Sequence, residues 1–234
     1  MKRLRKASFY PEIYISANVF KILGRISAQD SYRIKSLYKT KFDVIEIIKA
    51  GEKKPYKGPG EKFLFNRLKK SFKTIYNNRK LYFDDIKKTF YPDLLLELPE
   101  FVLLIEIDEP YDFKDGKPIH YYIELENRCY HIDFDWNKSL YDKGFNIIRF
   151  AEFQIFNDLD SCVDFINYVV NCLKNLKQPS LSFFQNRIPK LSEEEAIMYA
   201  YHHARSLYLP PDINAKFCPE RNNIRNEFKR NLFK

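Results

Sequence analysis

Tyr91-Pro-Asp93-Leu-Leu-Leu-Glu97-Leu-Pro99-Glu100-Phe101-Val-Leu-Leu-Ile105-Glu106-Ile107-Asp108-Glu109-Pro110-Tyr111 is the stretch on which the fold turns. Two short apolar runs, Tyr91–Leu98 and Phe101–Ile107, flank Pro99-Glu100, and so tight a connection predicts a β-hairpin. Alternate residues of a strand share a face, so Glu106 and Asp108 point one way and Ile105 and Ile107 the other. Asp93, on the opposite arm, can complete an acid cluster. Carboxylates side by side at the end of an apolar strand repel one another and lose hydration, and a cation is the natural resolution. Oxygen ligands of this kind suit Mg2+ or Mn2+, which can activate a water and neutralise charge during phosphoryl transfer. The bland alternative is an acidic hairpin facing water.

Acid is concentrated around this stretch: residues 91–135 hold 12 Asp/Glu and 3 Lys/Arg. The rest of the chain is different. Residues 1–90 carry 23 Lys/Arg against 8 Asp/Glu, and the whole chain of 234 residues has a formal net charge of +9. A basic end joined to an acidic centre suggests a polyanion partner, since basic charge supplies most nonspecific phosphate affinity. The other reading of that surface is plain solubility. The chain is long enough to bury one good-sized core. Cys129, Cys162, Cys172 and Cys218 form no CxxC pair, so zinc and disulfides are not expected and a reducing, cytoplasmic setting fits. The basic start has no sustained apolar stretch after it, and the longest apolar run falls far short of a membrane span.

Upstream of the hairpin, residues 10–50 read as helical from the spacing of Ile34, Leu37, Phe42, Ile45 and Ile48. A breaker-rich linker, Gly51 to Gly60, follows, and Glu61 opens a helix with Leu64, Leu68, Phe72 and Ile75 on one face. Downstream, Ile119–Leu125 reads as extended. Asp135–Lys143 reads as a helix stopped by Gly144, and Phe145–Phe150 as a buried strand. Ser161–Leu176 gives another helix. Ser192 and Glu195 have the spacing of a capping box for a helix reaching about Leu209. The tail, residues 212–234, is polar and basic. The expected fold class is α/β (α+β), a central mixed β-sheet flanked by helices. It is divided as a basic helical region (1–57), a core (58–178) and a C-terminal helical segment with a basic tail (179–234).

A helix opening on Glu61, a hairpin with Pro92-Asp93, a Glu-x-Asp strand, then helix and strand resemble the PD-(D/E)xK, restriction-endonuclease-like nucleases. More specifically, Ile105–Tyr111, Lys117-Pro-Ile-His120-Tyr121 and Gly144–Phe150 resemble small bacterial proteins with an "EIDEPY…PIHY…GWxVIRFxExQ" pattern. Those proteins are themselves similar to very-short-patch-repair endonucleases. The resemblance covers about residues 55–210 and is specific in the middle.

It implies a restriction-endonuclease-like core that cuts DNA with Mg2+ or Mn2+, in phage defence, a mobile element or repair. Asp93 and Glu106 would be metal ligands with the Ile107 carbonyl. Asp108, counted with them at the metal, stands where the superfamily more often has lysine. Glu61 would be an accessory acid, or else a helix N-terminal charge favourable to the dipole. His120 could replace the lysine as general base or proton shuttle, its ordinary pKa lying near neutrality. Lys138 is a second candidate, against simple helix solvation. Asp133 could orient His120 or a second metal. Arg149 reads as an ion-pair partner at the core edge and Trp136 as core.

Lys53, Lys54, Lys57, Lys62, Lys69 and Lys70 are the candidates for gripping phosphates. A homodimer would provide two sites for cutting both strands. Without the lysine, a catalytically silent nucleic-acid-binding or protein-interaction member of the fold is the alternative. A phosphatase lacks support, for want of a Gly-rich phosphate loop or an opening DxD motif.

Overall fold

The computed structural model describes residues 9–16, 45–49 and 58–213, apart from 84, 86, 126, 127 and 132. Short strands β1 (Phe9–Tyr10), β2 (Glu12–Tyr14) and β3 (Ile45–Ile47) precede helix α1 (Pro59–Leu68). Strands β4 (Ile75–Tyr76), β5 (Arg79–Phe83) and β6 (Lys88–Phe90) lead into the hairpin β7 (Leu94–Glu97) and β8 (Val102–Asp108). A second hairpin, β9 (Tyr122–Leu125) and β10 (Arg128–His131), is followed by helix α2 (Phe134–Asp142) and strand β11 (Asn146–Ala151). Then come α3 (Glu152–Asn157), α4 (Leu159–Lys174), β12 (Ile188–Pro189), α5 (Glu193–Tyr201) and α6 (Arg205–Tyr208).

Among the described residues the main sheet runs β2–β11–β8–β7–β4, with β8 and β11 parallel and the other pairs antiparallel. It is a mixed sheet flanked by helices, as expected. All of β8 is buried, because both faces of the sheet are covered. The pleat sorts its side chains. Leu94, Leu96, Leu103, Ile105, Ile107, Ile148 and Phe150 pack with Leu64 and Leu68 of α1, Ile155 of α3 and Phe165 and Ile166 of α4. Leu95, Val102, Leu104 and Ile147 face the other way, against Leu140 of α2 and Leu81 and Phe83 of a small β3–β5–β6 sheet. Each fully buried Leu, Ile or Phe here contributes about 1.5–3 kcal/mol.

Glycines set two positions that matter for the site. Gly144 has φ +98°, the left-handed geometry that ends α2 and turns the chain into β11. Gly58 lies so close to Glu109 that a Cβ there would collide with the carboxylate. α1 is thereby brought against the end of β8, and its first turn carries Glu61 into a buried position.

Three expectations change. Over the described parts of 10–50 the chain is extended rather than helical; residues 17–44 lie outside the described residues. β2 and β3 take their conformation from partners, β11 and β5, and not from local periodicity. The helix opened by Glu61 ends at Leu68, and Ile75 instead pairs with Leu96 across the sheet. The helix from Ser192 has its capping box but breaks after Tyr201, and His203 takes φ +52° before α6 begins. The linker at 51–57 and the tail beyond 213 lie outside the described residues. None of the described helices is long and apolar enough to cross a membrane.

Candidate metal centre

In the hairpin register Leu94 faces Ile105, which sets Asp93 across from Glu106. Asp93 Oδ2 accepts a hydrogen bond from the Ile107 backbone N–H at 2.8 Å. Glu106 shares its sheet face with Leu104 but lies beyond the apolar layer, 7% exposed. Its Oε1 is buried with no hydrogen-bond partner among the described residues. Burial, and next the negative charge of Asp93, push the Glu106 carboxyl well above the ordinary carboxylate range.

Two residues further along the same face, Asp108 is surrounded differently. Arg149, on the neighbouring parallel strand, donates Nε to Asp108 Oδ2 at 3.0 Å and Nη2 to Oδ1 at 2.5 Å. Tyr10, ninety-eight positions away, donates its hydroxyl to Oδ2 at 2.7 Å. The guanidinium also reaches Asn137 Oδ1 at 2.9 Å and Asp133 Oδ2 at 2.9 Å. A buried carboxylate with a bidentate arginine partner already has its counter-charge.

A closed turn brings His120 to this network. Tyr111 bridges Pro118, the Asp112 N–H donates to the Lys117 carbonyl, and Gly116 supplies φ +72°. His120 Nδ1 then lies 2.7 Å from Asp133 Oδ2 and 3.7 Å from Asp108 Oδ1, with Nε2 3.9 Å from Glu109 Oε2. Burial opposes its charged form, but the Asp108 charge and the Asp133 hydrogen bond outweigh it and raise the imidazole to about 9. Glu109 is also displaced: burial, then the charges of Glu152 and Asp93, raise it to about 8. Facing oxygens and nitrogen of Asp108, His120 and Asp133 lie within 4.8 Å of one another, so this trio too could hold a metal. Arg149 contacts both of its carboxylates.

Other candidates fall in different places. Glu61 is buried in the first turn of α1, beside Gly60, which abuts Ile107 and Glu152. Lys138 is exposed and pairs with Asp142 one turn along α2 at 2.8 Å, in keeping with the helix-solvation alternative. Trp136 is half-buried, against Phe90 and under Lys88. Lys62, Lys69 and Lys70 are exposed; Lys53, Lys54 and Lys57 lie outside the described residues.

The sequence marks Arg149 as an ion-pair partner but not the network it joins. Arg149 was legible as a charge inside an apolar run, and a buried arginine requires a buried acid, but that acid was not identifiable as Asp108. Tyr10 gave no signal at all. Its delivery depends on Gln154, whose side-chain N–H groups reach the Tyr10 carbonyl at 3.4 Å and the Asn186 carbonyl at 2.9 Å. Glu152 is fully buried with Arg205, which donates Nε to Oε2 at 2.8 Å and Nη2 to Oε1 at 2.6 Å; the Tyr208 hydroxyl donates to Oε2 at 2.8 Å.

No family model, curated protein or solved structure matches this chain. The functional reading therefore depends on the chemistry of the site itself.

Proposed function

We propose that this chain is a metal-dependent nuclease that hydrolyses phosphodiester bonds of DNA, with Asp93 and Glu106 at its centre. One observation carries the reading: a buried Glu106 oxygen without a partner among the described residues, next to a second carboxylate. Without a cation, burial drives this carboxyl toward its protonated form; a divalent cation would let it ionise and give its oxygen a partner. The donor set fits Mg2+ or Mn2+, which Asp93, Glu106 and the Ile107 carbonyl would hold. When bound, such an ion supplies charge neutralisation at the phosphoryl group and a more acidic water.

The chain's own residues do the rest. The Ile107 N–H fixes the Asp93 carboxylate at 2.8 Å, which holds one ligand arm in place. Asp108 occupies the strand position of the usual lysine, and Arg149 neutralises it. The net effect is to keep a guanidinium close to Glu106, whose charge it also feels. His120, raised to about 9, holds its proton at neutral pH. That suits the proton-shuttle side of the expected role, donating a proton or stabilising negative charge.

One observation favours the silent alternative. With Asp108 locked to Arg149, the strand offers no free cationic group at the lysine position. The test is cleavage of supercoiled plasmid, single-stranded DNA and RNA in Mg2+, Mn2+ or chelator. Asp93→Ala and Glu106→Gln should each lower the rate by about 100-fold or more, the upper end of what even indirect ligand partners contribute. Binding without any cleavage by the unaltered protein would establish the silent reading.

A further inference from the structure

Beyond the ends of β8 and β11 lies a cavity of about 230 Å³. Tyr10, His120, Phe153, Ile188, Tyr199 and Tyr208 are among the described residues that line it, with Asp108 and Glu152. Its surface is mostly apolar and aromatic. Phe153 and Tyr199 are 43% and 42% exposed, so part of each ring is open to solvent, and Phe153 and Tyr208 cross nearly at right angles with centroids 5.3 Å apart. The carboxylates of Glu152 and Asp108 are already engaged by arginine and tyrosine donors.

We propose that this cavity holds one unpaired nucleobase, so that the nuclease acts on nucleic acid whose bases are unstacked at the cut. The inference rests on the proposed nuclease reading for its position. Asp108 and His120 belong both to the polar network and to the cavity wall. Glu106 is two residues back from Asp108 on the same strand face, about 7 Å at strand rise. A phosphate at Asp93 and Glu106 would therefore place a neighbouring base within reach of the cavity. Small-ligand pockets usually span roughly 300–1,000 Å³, so this smaller one suits a single ring system and not a whole nucleotide. Four of the lining residues, Tyr10, Phe153, Tyr199 and Tyr208, are aromatic, a composition that suits a base, and stacking tolerates any base because each has a π-face. His120 and the Tyr199 hydroxyl are the polar groups of the wall not spent on the arginine-centred pairs, so stacking outweighs hydrogen-bond reading of the base. A duplex, with its bases stacked inside, offers the cavity nothing.

The test measures fluorescence anisotropy of labelled oligothymidylate and of an equal-length oligomer of abasic tetrahydrofuran nucleotides, in Ca2+ to hold off cleavage. The unaltered protein should bind the thymidylate about tenfold more tightly. Tyr199→Ala and Phe153→Ala should each erase most of that ratio, while Tyr199→Phe retains it. A ratio near one in the unaltered protein, or a ratio insensitive to both alanine changes, overturns the proposal. Because the first comparison needs no variant, a misfolded substitution cannot mask the result. Cleavage in Mg2+ separates the two readings. A full binding ratio with no cleavage sinks the nuclease and leaves the base cavity standing. Cleavage that Asp93→Ala abolishes, with a ratio near one, does the reverse.

Discussion

Arg149 is the residue whose removal should disturb the protein most. It is 3% exposed and serves Asp108, Asp133 and Asn137 at once. Arg149→Met leaves Asp108 and Asp133 to share the single charge of His120, and breaking a buried pair in this way costs about 3–5 kcal/mol. Urea unfolding should show a loss of that size; a loss below about 1 kcal/mol would mean that the pair contributes little. The same cluster sets a pH dependence. His120 rises from 6.5 to about 9 and Glu109 from 4.5 to about 8 on folding. Both shifts mean that the folded chain binds more protons than the unfolded one, so stability falls as pH rises. The contributions are complete below the unfolded values and are lost as pH climbs through about 8 and about 9. In chelator, the urea midpoint should therefore drop between about pH 5 and pH 9, and His120→Gln should flatten the upper part of that slope. Much of this cluster could be read in the sequence, since Asp93, Glu106, Asp108 and His120 lie in patterned segments. Tyr10 could not, because nothing local marks a side chain that meets its partner ninety-eight positions away.

At the level of elements, legibility followed burial on two faces. The β7–β8 hairpin, α2 with its Gly144 stop, β11 and α4 were all readable, because long apolar runs and helical spacing are strong local signals. β1, β2, β4 and β12 each have only two or three residues, too short for alternation to register. They are strands because a neighbour offers hydrogen bonds. The central strand should accordingly be the most sensitive element. Leu104→Ala removes a fully buried side chain and should cost about 2–5 kcal/mol, whereas Ser192→Ala removes only a cap at the start of α5, about 1 kcal/mol. Thermal or urea unfolding of the two variants side by side checks the ranking, and equal losses would contradict the described packing.

For the whole molecule, charge and architecture point the same way. An acidic centre at the carboxyl ends of β8 and β11 belongs to a chain with a formal net charge of +9. Lys62, Lys69 and Lys70 are exposed on and just after α1, the helix whose first turn approaches that centre. Replacing all three with alanine should weaken DNA binding evenly across sequences. The slope of log affinity against log salt should become shallower by about 0.7–0.9 for each phosphate that the altered surface no longer neutralises. An unchanged slope would remove α1 from the interface. The cation is what makes Asp93 and Glu106 a working site. The most direct measurement is electron paramagnetic resonance of Mn2+ titrated into the protein, with nitrogen coupling detected by spin-echo modulation. One bound Mn2+ in an all-oxygen environment, lost in Glu106→Gln and kept in His120→Ala, is the predicted result. Binding that survives Glu106→Gln, or a nitrogen coupling that His120→Ala abolishes, would contradict it and place the metal at Asp108, His120 and Asp133.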